Sequence, residues 1–255
     1  MRGDAAGAAW EEAPASQALV ASPWGELRYG AELAQLLASR EFHGVERRPD
    51  AGPTLLIPGF MAGDASLTLM RQWLRRRGHR VLSSGIRTNV GCAEAILARL
   101  QKRLLALAED AGEPVFVIGQ SRGGALARAL AVRAPDAVAG LVMLGSPVAD
   151  SLAVSSPVLR TVRWVATLGD LGVPGLFSST CKDGACCADF RAELAAPLPS
   201  GVSATAVYSR SDGIVDWRAC VDPLAHCIEV ASSHCGMSVN VSVYRVLDRA
   251  LDTGR

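Results

Sequence analysis

Val115-Phe116-Val117-Ile118-Gly119-Gln120-Ser121-Arg122-Gly123-Gly124 decides the reading of this chain. Its first four residues are all apolar. Continuous rather than alternating apolarity is the mark of a strand covered on both faces. The run breaks at Gly119 and gives way at Arg122 to a helical pattern that lasts to Arg133. Ser121 therefore stands between a strand and a helix. A turn that sharp leaves no room for side chains at Gly119 and Gly123, and it holds Ser121 above the sheet. The helix start also aims backbone N–H groups and the positive end of the dipole at any anion formed beside the serine.

Working outward, strand-like runs recur at 54–57, 80–83, 138–144, 204–208 and 227–230, most of them apolar throughout. Helical patterns lie between and around them at 66–77, 92–109, 122–133 and 238–251. In the last, Val243, Val246, Leu247, Ala250 and Leu251 fall on one face. Arg75-Arg76-Arg77 before Gly78 puts positive charge at a helix C-terminus and a permissive residue just after it. Such alternation predicts an α/β fold with a mostly parallel sheet and helices on both faces. Two regions break it. Residues 1–50 are Ala-rich, with a helix expected over 25–39 and no strand pair. Residues 147–200 hold Pro, Gly, Ser and three Cys around one helical stretch, 158–168, and form an insertion placed where a cap or lid would sit.

The chain of 255 residues is long enough for one large core, and a single domain over 1–255 is the simplest division. Lys plus Arg (26) nearly balances Asp plus Glu (25), so no net field favours nucleic acid or an anionic membrane. The first 14 residues carry no signal-peptide pattern, and no run reaches the roughly 18–20 apolar residues of a membrane span. A cytoplasmic protein with reduced thiols is expected, although Cys181, Cys186 and Cys187 crowd one loop.

A serine hydroxyl needs a base to take its proton and an acid to orient that base. Of the four histidines, His43 lies in the N-terminal segment, and His79 and His226 open strands. His234 alone follows the last strand and precedes the last helix. Tyr208-Ser209-Arg210-Ser211-Asp212-Gly213 ends the penultimate strand and offers Asp212 as the acid; Asp216 is the alternative, unless it caps the turn that starts near Trp217. The N–H of Arg122 is one oxyanion donor. Leu56-Ile57-Pro58-Gly59-Phe60-Met61 supplies the other, Phe60, or Met61 if the turn is shifted by one residue.

Together these residues resemble the bacterial lipase and esterase branch of the α/β-hydrolases. The resemblance rests on Ile57-Pro58-Gly59-Phe60, on Gly119-Gln120-Ser121-Arg122-Gly123-Gly124, on Ser211-Asp212-Gly213-Ile214-Val215-Asp216-Trp217 and on Ser233-His234-Cys235-Gly236-Met237. It spans residues 54–251 and implies the α/β-hydrolase fold, hydrolysis of carboxylic esters, among them acylglycerols, and no cofactor. The first two strands common in that fold are not visible here, and Arg122 replaces a more usual uncharged neighbour.

Several features have two readings. Arg122 could bind an acidic group on a substrate, but an Arg at a helix start more often forks onto a nearby carboxylate as scaffold. The helix over 158–168 fits a lid that contacts a lipid interface or a packed cap helix equally well. His226-Cys227 and His234-Cys235, with Cys181, Cys186 and Cys187, have ligand chemistry for zinc, but their spacings match no compact site and no metal is expected. The same triad would serve acyl transfer, or thioester or polyester cleavage, and a non-catalytic binding protein could keep the fold.

Overall fold

The computed structural model describes residues 23–44, 46–49 and 51–253. A 3-10 turn at Pro23–Arg28 leads into α1 (Tyr29–Ala38) and the short α2 (Arg40–His43). There follow β1 (Pro53–Ile57), α3 (Thr68–Arg76), β2 (Arg80–Ser83), α4 (Ala93–Ala111), β3 (Val115–Gln120), α5 (Arg122–Arg133) and β4 (Val138–Leu144). Residues 145–202 hold α6 (Ser156–Asp170), two 3-10 turns and α7 (Ala188–Ala195). The chain closes with β5 (Ser203–Tyr208), β6 (His226–Glu229) and α8 (Val241–Thr253).

The six strands form one sheet in the order β2-β1-β3-β4-β5-β6, and every pairing is parallel. All six places where the sequence predicts strands are strands. Side chains alternate across the sheet, so each strand feeds two cores. Leu55, Ile57, Val115, Val117, Leu141 and Met143 pack under α4 and α5 on one face. Leu56, Phe116, Ile118, Val142 and Leu144 pack under α1, α3 and α8 on the other. Burial on both faces is the reason these strands read as unbroken apolar runs. Each fully covered Leu, Ile or Val contributes about 1.5–3 kcal/mol relative to exposure.

Element ends differ from the sequence reading where side chains intervene. The last helix begins at Val241 rather than 238, because Cys235–Ser238 forms a 3-10 turn and Asn240 Oδ1 then accepts from the Ser242 N–H at 2.9 Å. The N-terminal helix begins at Tyr29, after the 3-10 turn, rather than at 25. α7 has no counterpart in the sequence reading: it buries no residue, so it carries no apolar periodicity to detect. Among the described residues no helix is long and apolar enough to cross a membrane.

Parallel pairing sends the C-terminal ends of β1, β3, β4, β5 and β6 to one edge. Ile57 stands beside Gly119, Gln120 beside Leu144, Leu144 beside Val207 and Tyr208 beside Glu229. Loops leaving those ends therefore converge, which is where open parallel sheets place their sites.

On α3, packed against α2 and α8, Trp73 is the largest fully buried side chain among the described residues. Its indole N–H donates to the Glu41 carbonyl at 2.7 Å and its ring meets Tyr244 edge-on at 5.0 Å. Trp73→Ala should cost about 3–5 kcal/mol in urea unfolding; a loss below about 1 kcal/mol would mean that this face is not a packed core.

Candidate active site

Ser121 lies directly after β3 with φ 53° and ψ −126°, a left-handed conformation that a residue with a side chain adopts only when its surroundings enforce it. The enforcement is visible. The Ser121 N–H donates to the Leu144 carbonyl at 2.7 Å, and the Ser121 carbonyl accepts from the Gly124 N–H at 2.9 Å as α5 begins. A Cβ at Gly119 would strike the Gly123 backbone, and one at Gly123 would strike the Ile57 and Pro58 carbonyls. Only glycine lets helix and strand approach this closely. As in any α-helix, the first N–H groups of α5 have no intrahelical acceptor and point to the space beside Ser121.

His234 follows β6, and its Nδ1 lies 2.7 Å from Asp212 Oδ2. Asp212 is buried, and its other oxygen accepts from the N–H groups of Ile214 and Val215, both at 2.8 Å. The carboxylate is thereby fixed. Asp216 instead accepts from the Arg218 N–H at 3.0 Å and starts the 3-10 turn Trp217–Cys220, the capping role foreseen for it. The other histidines are elsewhere. His43 bonds the Leu37 carbonyl, His79 is buried beside Thr54 and the Gly52 carbonyl, and His226 is exposed at the start of β6. Burial alone would depress the His234 imidazolium, but the charge of Asp212, the hydrogen bond to it and the nearby Glu26 outweigh that and hold the group above its usual pKa.

Ser121, His234, Phe60 and Arg122 line one cavity of about 660 Å³. Its remaining wall is mostly apolar, with Leu152, Val154, Val158, Val162, Phe177 and Phe190 contributed by the insertion between β4 and β5. The Phe60 loop is a turn closed by the Ala62 N–H on the Gly59 carbonyl at 3.2 Å, with Met61 at φ 60°. Asn89 braces it by donating to the Pro58 carbonyl at 2.8 Å. The expected carboxylate partner of Arg122 is replaced by carbonyls: its guanidinium donates to Asn89 O at 3.0 Å and Gly91 O at 2.6 Å and stands 5.4 Å from the Phe177 ring. Burial lowers its pKa to about 10, which leaves it charged near neutrality.

Two residues with no role in the sequence reading hold the His234 loop. Glu26 accepts from the N–H groups of His234 at 2.7 Å, Cys235 at 3.0 Å and Gly213 at 3.2 Å. Glu32, buried on α1, accepts from the Ser233 N–H at 2.9 Å, the Ser233 hydroxyl at 2.6 Å and Asn240 Nδ2 at 3.2 Å. One signal was available: Glu32 shares a helical face with buried Leu36, and a carboxylate on a core-facing stripe requires partners.

All seven cysteines are free. Cys181, Cys186 and Cys187 meet a fourth, Cys92, which the sequence reading did not join to them, whereas the Cys227 thiol bonds the Asp222 carbonyl and Cys235 lies beside His234.

Comparisons with known proteins agree with this architecture. A family model described as serine aminopeptidase, S33, matches residues 77–192. No curated protein matches the sequence. Among solved structures, the chain is similar to a Bacillus licheniformis lipase in its mature form, at 14% identity over 81% of this chain and 94% of that one, with a TM-score of 0.60. It is also similar to a structure reported for the metagenome-derived lipolytic enzymes LipS and LipT (18% identity, 83% and 95% covered, TM-score 0.55). A third is the mouse α/β-hydrolase domain-containing protein 10 (19% identity, 82% and 92% covered, TM-score 0.53).

Hydrogen bonds to a charged acceptor contribute about 1.5–3 kcal/mol each. Glu26→Ala should therefore loosen the His234 loop while the sheet stays folded, read as exchange of the 232–237 amides at least tenfold faster in hydrogen–deuterium exchange. Unchanged protection there would show that Glu26 does not brace the loop.

Proposed function

This chain has the α/β-hydrolase fold, and we propose that it is a serine hydrolase that cleaves carboxylic esters through an acyl-enzyme on Ser121. One observation carries the reading: a serine on a strained elbow opens onto the same cavity as a histidine whose Nδ1 is held 2.7 Å from a buried aspartate. In this mechanism Ser121 Oγ adds to the ester carbonyl carbon while its proton passes to His234 Nε2. Asp212 keeps Nδ1–H in place and stabilises the imidazolium. The N–H groups of Phe60 and Arg122 receive the oxyanion. Collapse breaks the C–O bond, and the leaving alcohol takes the proton from His234. Water, deprotonated by the same histidine, then attacks the acyl-enzyme and releases the carboxylic acid and free Ser121.

Phe60 is preferred to Met61 as the second donor. A Cβ at Gly59 would lie 3.1 Å from Ser121 Cβ, so the backbone entering Phe60 passes directly over the nucleophile, whereas Met61 is half exposed. The apolar wall favours an ester with a sizeable hydrocarbon or aromatic group, lipid esters included. Delivery of the acyl group to water rather than to an alcohol, amine or thiol acceptor is the simplest form of the reaction.

The family model's description raises a second reading, release of an N-terminal amino acid. Such a substrate presents an ammonium group, which a carboxylate would have to meet. Among the described residues that line the cavity none is acidic, while Arg122, Lys182 and Arg191 are basic. Neutral or anionic esters therefore fit better than aminoacyl peptides.

A fluorophosphonate probe should label the protein and fail to label Ser121→Ala; full labelling of that variant would place the nucleophile elsewhere. Within a p-nitrophenyl ester series, turnover should exceed that of aminoacyl anilides, and the reverse ranking would favour the peptidase. The base works only when neutral, and His234 is held above its ordinary 6.5, so the acid limb of kcat/KM should lie above that pH. Asp212→Asn removes the larger part of what raises it and leaves Glu26, so the limb should move to lower pH while kcat falls by about 10⁴. A limb that stays in place would dissociate Asp212 from the base.

A further inference from the structure

Cys92, Cys181, Cys186 and Cys187 bring four sulfurs within 4.8 Å of one another at the base of the insertion. Individual separations are 3.4 Å for Cys92–Cys187, 3.6 Å for Cys181–Cys186 and 4.0 Å for Cys186–Cys187. Sulfurs in a disulfide stand about 2.05 Å apart. Four thiolates around one zinc, at about 2.3 Å each in a tetrahedron, stand about 3.8 Å from one another. We propose that these four cysteines bind a structural zinc ion that staples the insertion to the core beside the cavity.

Charge supports the assignment. Four thiolates on Zn²⁺ leave a net charge of −2, which a partly buried site tolerates only with positive charge nearby. Three sources converge. Cys92 precedes α4, a helix of 19 residues, and Cys187 precedes α7, so two helix N-termini meet at the cluster. The Glu94 backbone N–H donates to the Cys187 sulfur. The Arg122 guanidinium lies within electrostatic reach of Cys187, Cys181 and Cys92. Its fork is occupied by the Asn89 and Gly91 carbonyls, so its charge is left to be balanced, and a zinc tetrathiolate would do so where four neutral thiols could not.

The fold also has a use for such a staple. Neither α7 nor the 3-10 turn Ser179–Cys181 buries a residue, so this stretch lacks an apolar core of its own. Its far end is tied by polar contacts, with Arg133 on Glu94 at 2.7 Å and Glu193 at 2.6 Å, and Arg128 on the Leu194 carbonyl at 2.6 Å. The near end carries Phe177, Cys181 and Phe190, which line the cavity, and has the cysteine cluster as its anchor. Small segments without sufficient core are commonly held by a metal. Binding would release the thiol protons as the four Zn–S bonds form, with no change of oxidation state.

The full chain, purified under reducing conditions without chelator, should carry one equivalent of zinc by inductively coupled plasma mass spectrometry. Cobalt exchanged into it should give the thiolate-to-cobalt charge-transfer absorption of a tetrahedral site. Cys186→Ser should fall from one equivalent to none, and Cys227→Ser, outside the cluster, should keep it. If Cys186→Ser fails to fold, the wild-type stoichiometry and cobalt spectrum decide. Zinc-free protein whose four cluster cysteines resist alkylation until reduced would replace the site with two disulfides. Zinc-free protein in which all seven cysteines alkylate and which takes up neither added zinc nor cobalt would overturn the proposal outright. None of these readouts depends on ester hydrolysis, so the metal site and the proposed reaction can fail separately.

Discussion

Everything at the candidate active site depends on the contact between α5 and the end of β1. The helix comes so close that Gly123 has the Ile57 and Pro58 carbonyls where a side chain would be, and this closeness forces Ser121 to φ 53°. A residue held there costs on the order of 1–3 kcal/mol. The cost is offset by the burial of Ala125, Leu126, Ala127, Ala129, Leu130 and Ala131 on the same helix, whose small residues permit the approach. Moving α5 outward by the width of one methyl group would relax the serine and withdraw the helix N-terminus together. Strain, exposure of the hydroxyl and orientation of the N–H groups are one geometric fact.

The opposite side of the site is organised by carboxylates that accept from backbone rather than from cations. Asp212 takes two N–H groups and His234; Glu26 takes three N–H groups; Glu32 takes an N–H, a hydroxyl and an amide. Carboxylates used in this way fix loops that have little apolar surface of their own. The charges of Asp212 and Glu26 also act on the imidazole, so two of the groups that hold His234 in place are the groups that raise its pKa. Position and basicity of the histidine cannot be tuned independently here.

What could be read from the sequence follows from what each residue must bury. The strands were legible because a strand covered on both faces cannot hide its composition, and the elbow because glycine alone fits between α5 and β1. His234 stood out as the one of four histidines between the last strand and the last helix, and Asp212, with Asp216 as the alternative, as an acid on the turn after the penultimate strand; the structure brings Asp212 and His234 to within 2.7 Å. Contacts decided by distant partners were not legible. Glu26 looks like an ordinary surface acid until the His234 loop is laid over it, and Glu32, though its place on the stripe of Leu36 calls for partners, does not say which. Cys92 lies 95 residues from Cys187, so no local spacing joins them. The fork of Arg122 found carbonyls in a loop that only the fold places beside it.

The Glu26 clamp also sets an order in time. Its bond to the His234 N–H spans 208 positions, and Glu32 reaches Asn240 over the same separation. Chains emerge from the ribosome amino end first, and contacts so remote in sequence form late. β1 to β4, with α1, α3, α4 and α5, can come together while the loop that Glu26 must grasp, and α8 after it, have yet to be made. The pocket's chemistry is thus completed only after the strands that frame it, because the serine elbow is made well before the loop that carries His234.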